Sequence, residues 1–234
     1  MKLIMIHHAG GSSLYYKKWL KHLNFTDNIL VEMPGHMMKD SEPLIYQFDV
    51  AVAEVTRQIT LELGRNEKYM IFGHSMGALL AFYATCSLIK KGYSYPVCLF
   101  LSGSSSPDFR QDRVTNISKI ENDADFINEV VKLGGMPPEV LDSQELMDYC
   151  IPILRADFSI VESLEYKPLE PIECDGHILN GIDDVGAAGS MSQWSKFFTG
   201  HVTEVLFPGN HFYTNEHFKE ICELIRKVSI LQSK

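Results

Sequence analysis

The feature that most constrains this chain is the pentapeptide Gly73-His74-Ser75-Met76-Gly77, set between an apolar run ending at Phe72 and a helix-period pattern from Ala78. A serine between glycines at this spacing belongs where a strand turns abruptly into a helix. The glycines are needed because side chains at those positions would clash with the turning backbone. The turn holds the serine hydroxyl exposed at the carboxyl edge of a sheet, facing the free amides and positive end of the following helix. By chance the pattern arises in roughly one chain of this length in ten to fifteen, so its flanks carry the inference.

The rest of the chain supplies the sheet that such a turn requires. Continuous apolar runs at 3–7, 28–33, 69–73, 97–102, 176–180 and 202–207 read as strands buried on both faces. Helix-period patterns lie between and after them: Val52, Val55, Ile59 and Leu63 over 48–63; Leu79, Leu80, Tyr83 and Leu88 over 75–90; Phe218, Ile221, Cys222, Ile225 and Val228 over 214–230. The alternation predicts an α/β fold with a mostly parallel sheet flanked by helices, and with the serine turn it predicts the α/β-hydrolase fold. From 106 to 168 no strand is evident, only helical patterns split by Gly134, Gly135, Pro137 and Pro138. That stretch is too long for an ordinary connection and reads as a helical lid inserted in a single domain spanning 1–234.

Composition narrows the partners. A net charge of −9 argues against nucleic acid and anionic membrane, which call for clustered Lys and Arg. A small basic patch around Lys17, Lys18 and Lys21 reads first as a solvated helix face, although it offers a docking point for an acidic partner. Five cysteines at wide spacings, with no CxxC pair, signal neither a disulfide framework nor a zinc site and fit a reducing cytoplasm. The apolar run Leu3 to Ile6 is too short for a signal-peptide core, and no stretch approaches the length of a membrane span.

A serine hydroxyl needs a base, and in this fold the chain order is serine, acid, histidine. Of the downstream histidines, His177 lies in a strand pattern, His201 just before one, and His217 in the last helical pattern. His211 follows Gly209-Asn210 after the last strand, where a catalytic-edge loop belongs, and is the expected base. The acid should follow strand 176–180, and Asp184 is favoured over its neighbour Asp183; Asp175 and Asp157 are less well placed, before a strand and within a helix. Two amides should stabilise the oxyanion, one from Met76 after the nucleophile and one from Ala9 in the loop His7-His8-Ala9-Gly10-Gly11. The His7-His8 pair lacks a third ligand at metal-binding spacing, and no cofactor is implied.

Several segments resemble the type II thioesterase family, the stand-alone partners of polyketide and nonribosomal peptide synthetases. They are HHAGGSSLYYKKW at 7–19, MPGH at 33–36, GHSMGALLAF at 73–82, LFLSGSSSP at 99–107, LGGMPPEVL at 133–141, PILRADFSIVESLEY at 152–166, GIDDV at 181–185 and PGNHFY at 208–213. The resemblance implies hydrolysis of acyl thioesters on the phosphopantetheine arm of a carrier protein, by a monomer without cofactor. It matches Ser75 to the nucleophile, His211 to the base, Asp184 to the acid, and Ala9 and Met76 to the oxyanion amides. Departures fall at His7, where the family usually has Pro, at His36, where it has Arg, and at Ala78, where it has Gly. They bear on loop stiffness, pocket shape and partner docking. A carboxylesterase or lipase with the same triad, and a catalytically silent acyl- or carrier-binding protein, are the competing readings.

Overall fold

A computed structural model of the chain describes residues 1–23, 25, 27–111 and 116–231. The apolar runs form six strands: β1 Lys2–Ile6, β2 Asn28–Val31, β3 Tyr69–His74, β4 Cys98–Ser102, β5 Asp175–Gly181 and β6 Val202–Phe207. They pair in parallel in the order β2-β1-β3-β4-β5-β6. Period-two alternation divides their side chains between two cores. Ile4, Ile6, Ile71, Leu99, Leu101 and Ile178 point to one face, and Leu3, Met5, Met70, Phe72, Phe100 and Leu179 to the other. The central strands are buried on both faces, which is why their sequences read as unbroken apolar runs. Edge strand β6 instead leaves Glu204 and Leu206 exposed.

Nine helices surround the sheet among the described residues. They are α1 Lys17–Leu20, α2 Phe48–Glu62, α3 Met76–Lys90, α4 Pro107–Gln111, α5 Asp123–Lys132, α6 Pro138–Leu141, α7 Gln144–Glu162, α8 Val185–Ala188 and α9 Phe218–Leu231. Val55 and Ile59 of α2 join Leu79 and Leu80 of α3 on one face. On the other, α9 buries Ile221, Cys222 and Ile225 against Tyr16 and Trp19. The last helix begins at Phe218, four residues after the pattern suggested. Residues Tyr213–Asn215 form a 3-10 turn, and His217 caps the helix by accepting the Ile221 N–H at 3.1 Å.

The region expected as an insertion at 106–168 has helices and turns but no strand in its described part and holds α4 to α7; residues 112–115 lie outside the described residues. It has a small core of its own, formed by Phe126, Ile127, Val130 and Leu154. The expected break occurs at Gly134–Pro137, between α5 and α6, while α7 continues through Pro152. No helix among the described residues is long and apolar enough to cross a membrane. All five cysteines are free, Cys98, Cys174 and Cys222 buried, Cys86 and Cys150 partly so.

Strand order reverses between β1 and β3: the chain leaves β1 for β2 on one side and returns to β3 on the other. The crevice beyond the carboxyl ends at such a reversal is where ligands bind in open parallel sheets. The loop after β1 and the turn after β3 both open there.

Candidate active site

Ser75 occupies the turn between β3 and α3 with φ 57° and ψ −117°, the only non-glycine residue at positive φ among the described residues. That conformation costs on the order of 1–3 kcal/mol and persists because the surroundings fix it. The Ser75 N–H donates to the Ser102 carbonyl at 2.7 Å, and the Ser75 carbonyl accepts the Ala78 N–H at 3.0 Å. A β-carbon at Gly73 would collide with the Gly77 carbonyl, and one at Gly77 with the carbonyls of Ile6 and His7. The glycines therefore serve close backbone approach: α3 starts almost against the end of β1.

The loops after β5 and β6 are drawn together by the same device. A β-carbon at Gly181 would strike the carbonyls of Gly209 and Asn210, and the Asp183 N–H donates to the Gly209 carbonyl at 3.0 Å. This contact brings Asp184 under His211, whose Nδ1–H donates to Asp184 Oδ2 at 2.6 Å. The Ser75 hydroxyl in turn donates to His211 Nε2 at 2.9 Å. Asp183 is exposed, and the contact to the ring is made by Asp184. Ser75, His211 and Asp184, 136 and 27 positions apart, thus form one continuous hydrogen-bonded line. The other sequence candidates lie elsewhere: His177 stacks on Phe100, His201 is exposed, His217 packs on Phe207, and Asp175 accepts the His201 N–H.

Two further imidazoles approach His211 and are held neutral. His74 lies 5.1 Å away, centroid to centroid, fully buried, with Nδ1 2.9 Å from Ser102 Oγ, which is itself 2.6 Å from the Tyr213 hydroxyl. Burial drives its pKa well below the usual imidazole value, and positive charge on the neighbouring His211 or His8 ring would lower it further. Burial likewise pushes the pKa of His8 down to about 4. Neither of these two rings therefore places a positive charge beside His211.

The loop after β1 is pinned residue by residue. The His8 carbonyl accepts His7 Nδ1–H at 2.8 Å and the Gly11 N–H at 3.0 Å, and the Ala9 carbonyl accepts His8 Nδ1–H at 2.9 Å. The Gly10 N–H donates to Asp157 Oδ2 at 2.7 Å. His36, in the loop after β2, donates to the same Oδ2 at 3.0 Å through Nε2 and to the Pro34 carbonyl at 3.0 Å through Nδ1. Asp157, set aside in the sequence as a mid-helix residue, is thus a structural partner of this loop. No spacing rule pairs residues 147 and 121 positions apart, and only the LRADF segment shared with the family pointed to the position.

Ser75, Met76, Ala9 and His211 open into a cavity of about 720 Å³. Its far wall comes from the helical segment, through Leu133, Tyr149, Cys150, Ile153, Leu154 and Phe158. That wall is anchored beside the base, since Gly134 packs against the Asn210 side chain and a β-carbon on Gly135 would enter the Phe212 ring. A volume of this size, apolar along one wall and hydrogen-bonding at one end, suits a flexible acyl chain with its carbonyl at the serine. No cluster of three or more metal-binding side chains occurs among the described residues.

A family model described as a thioesterase domain matches residues 1–228. The gramicidin S biosynthesis protein GrsT of Aneurinibacillus migulanus is 30% identical over 232 residues, covering 97% of this chain and 88% of GrsT. Among solved structures, ClbQ from the colibactin NRPS/PKS pathway superposes with a TM-score of 0.91 at 27% identity, covering 99% of this chain and 98% of ClbQ. YbtT, a type II thioesterase from the yersiniabactin NRPS/PKS pathway, gives a TM-score of 0.83 at 28% identity, covering 99% of this chain and 93% of that one.

Proposed function

This chain belongs to the thioesterase domain family, alongside type II thioesterases of peptide- and polyketide-synthetase pathways, and from that premise we propose that Ser75, His211 and Asp184 are its catalytic triad. The observation that carries the reading is the unbroken line from Ser75 Oγ through His211 to Asp184 at 2.9 and 2.6 Å. The substrate is an acyl group held as a thioester on the phosphopantetheine arm of a carrier protein. The acyl chain lies along the apolar wall, and the helical segment acts as the lid that shapes it.

Hydrolysis runs in two balanced steps. His211 Nε2 takes the Ser75 proton as Oγ bonds to the thioester carbon, and Asp184 stabilises the imidazolium without accepting its proton. The tetrahedral oxyanion lies between the amides of Ala9 and Met76. Met76 opens a helix, so its N–H has no partner within that helix. Gly10 and Gly11 donate within the fold, while Ala9 lines the same cavity as Ser75, which supports Ala9 as the second donor. The C–S bond then breaks, and the thiol departs with the proton held by His211. Water, deprotonated by the same ring, adds to the acyl-serine carbon; the acid is released and Ser75 recovers its hydrogen.

A cation close to the cavity lining supports the carrier as partner. Lys18 Nζ lies 4.7 Å above the Phe218 ring and 3.5 Å from the carbonyl of Asn215, a residue that lines the cavity. An ammonium there complements the phosphate of a pantetheine arm or an acidic carrier surface. Single-turnover hydrolysis of an acyl–carrier protein and of the matching oxygen ester, with wild type and Ser75→Ala, tests the whole reading. Thioester cleavage abolished by Ser75→Ala is expected, with a loss on the order of 10⁴-fold or more. Preference for the oxygen ester would move the enzyme to the carboxylesterases, and an unimpaired Ser75→Ala would remove the serine from the mechanism.

A further inference from the structure

His36 and Asp157 form a pair whose side chains are 2% and 1% exposed and which takes no part in the proton transfers above. Both acceptors of the His36 ring, the Pro34 carbonyl and the Asp157 carboxylate, are unable to donate. That pattern matches a ring with a hydrogen on each nitrogen, an imidazolium beside a carboxylate. Asp157 Oδ1 has no partner among the described residues, so all its hydrogen bonding passes through Oδ2. One oxygen atom joins α7, the loop after β2 and the loop after β1.

The groups facing His36 are consistent with its charge. Asp157 faces it from α7, Glu32 from the end of β2, and His7 and His8 from the loop after β1, the His7 ring 5.1 Å away. His7 donates from Nδ1 to the His8 carbonyl and accepts the Met33 N–H on Nε2 at 3.3 Å, a pattern that fixes it as a neutral tautomer. Burial pushes its pKa to about 3. Burial also opposes charge on His36, but the Asp157 hydrogen bond and charge, the Pro34 carbonyl and Glu32 outweigh it and hold its pKa above the usual value.

Resting on the reading of Ala9 as an oxyanion donor, we propose that His36 and Asp157 are positioning residues for the oxyanion hole. The peptide unit from Ala9 to Gly10 is planar and is gripped at both ends, its carbonyl by His8 Nδ1–H and its N–H by Asp157. The unit before it is held through the His8 carbonyl, which in a trans peptide points its Ala9 N–H the opposite way. Two planes meeting at Ala9 Cα are thereby fixed, and with them the direction of the Ala9 amide. Gly10, at φ 71°, has no side chain to stiffen this turn, and Leu154, one turn before Asp157 on α7, closes over it. The helical segment that walls the acyl cavity thus also aims the amide that stabilises the reacting oxygen.

Asp157→Asn and His36→Gln, assayed with hexanoyl-pantetheine and followed by ¹H–¹⁵N NMR of the Gly10 and Ala9 amides and the His36 ring, test the proposal. Asp157→Asn is expected to lower kcat on the order of tenfold to a hundredfold, as misplacement of a catalytic donor does, with KM within about twofold. The Gly10 amide should move upfield on losing its charged acceptor, and His36 should lose its second ring proton at neutral pH. His36→Gln, which retains a donor to Asp157, should show a smaller kcat loss in the same direction, and it carries the test if Asp157→Asn does not fold. A displaced Gly10 resonance with kcat unchanged overturns the proposal, as does a kcat loss with that resonance in place. Full activity in Ser75→Ala overturns the underlying mechanism instead, while an inactive Ser75→Ala beside a fully active Asp157→Asn overturns the positioning role alone.

Discussion

The turn around Ser75 and the helical segment from Pro107 to Glu162 face each other across one cavity and are built on opposite principles. At the turn, backbone meets backbone: Gly73 against Gly77, Gly77 against Ile6, with every residue of β3 buried. In the helical segment, apolar side chains stay partly in solvent: Leu133, Leu141, Leu146 and Tyr149 are 38% to 43% exposed. Among the described residues, Gly134 and Gly135 meet the loop after β6, and Leu154 and Asp157 meet the loop after β1. Reaction geometry tolerates little displacement, so it is assigned to packed backbone. Recognition of a flexible chain tolerates much more, and in the proposed reading it falls to side chains that repack at small cost.

The contrast breaks most visibly at Gly77. In Gly77→Ala the added carbon has only the Ile6 and His7 carbonyls to displace, and we expect about 3 kcal/mol of lost stability in urea unfolding, with activity lost alongside. Across the cavity, Leu133→Ala and Tyr149→Ala should change stability by only about 0.5 kcal/mol. They should lower kcat/KM for long acyl chains roughly tenfold relative to short ones, read from a chain-length series of acyl-pantetheines. Equal destabilisation by all three substitutions would erase the distinction between the two regions.

A smaller effect separates the buried histidines by sign. His7, His8 and His74 have pKa values lowered by burial, so they stabilise the fold above the unfolded value of about 6.5, and that contribution is lost as pH falls below it. His36, raised by Asp157 against the opposing effect of burial, does the reverse: its contribution is complete below about 6.5 and is lost as pH rises through its folded pKa. Unfolding free energy followed from pH 5 to 9 should therefore decline on both sides of neutrality, and His36→Gln should flatten the alkaline side only.

These differences track how much could be read from the chain. All six strands were legible because sheets covered on both faces leave unbroken apolar runs, and the order of the loops then pointed to His211 and Asp184. Asp184 and Asp183 differ by one position, and the local turn that separates them rests on Gly181 meeting Gly209 and Asn210, a contact that adjacent carboxylates do not advertise. The link from His36 through Asp157 to Gly10 was invisible to pattern, since its members come from three elements with no shared period. His36 stood out only as a departure from the family's arginine, and both residue types carry the positive charge that a buried carboxylate requires. Pro152 within α7 also runs against local rules, and the helix persists there because its apolar face is held by Ile153, Leu154 and Ile160.

The proposed reaction releases a thiol into a chamber whose wall already holds one, Cys150. Ionised, that sulfur would intercept the acyl group by thioester exchange, swapping one C–S bond for another and stranding the product on the protein. Burial raises its pKa above the ordinary cysteine value and keeps it protonated at neutral pH. The same cause takes Cys86 to about 11, Cys174 and Cys222 to about 12, and Cys98 higher still. Disulfide exchange also begins from a thiolate, so a chain rich in sulfur turns over sulfur esters without being rewired by its own leaving group.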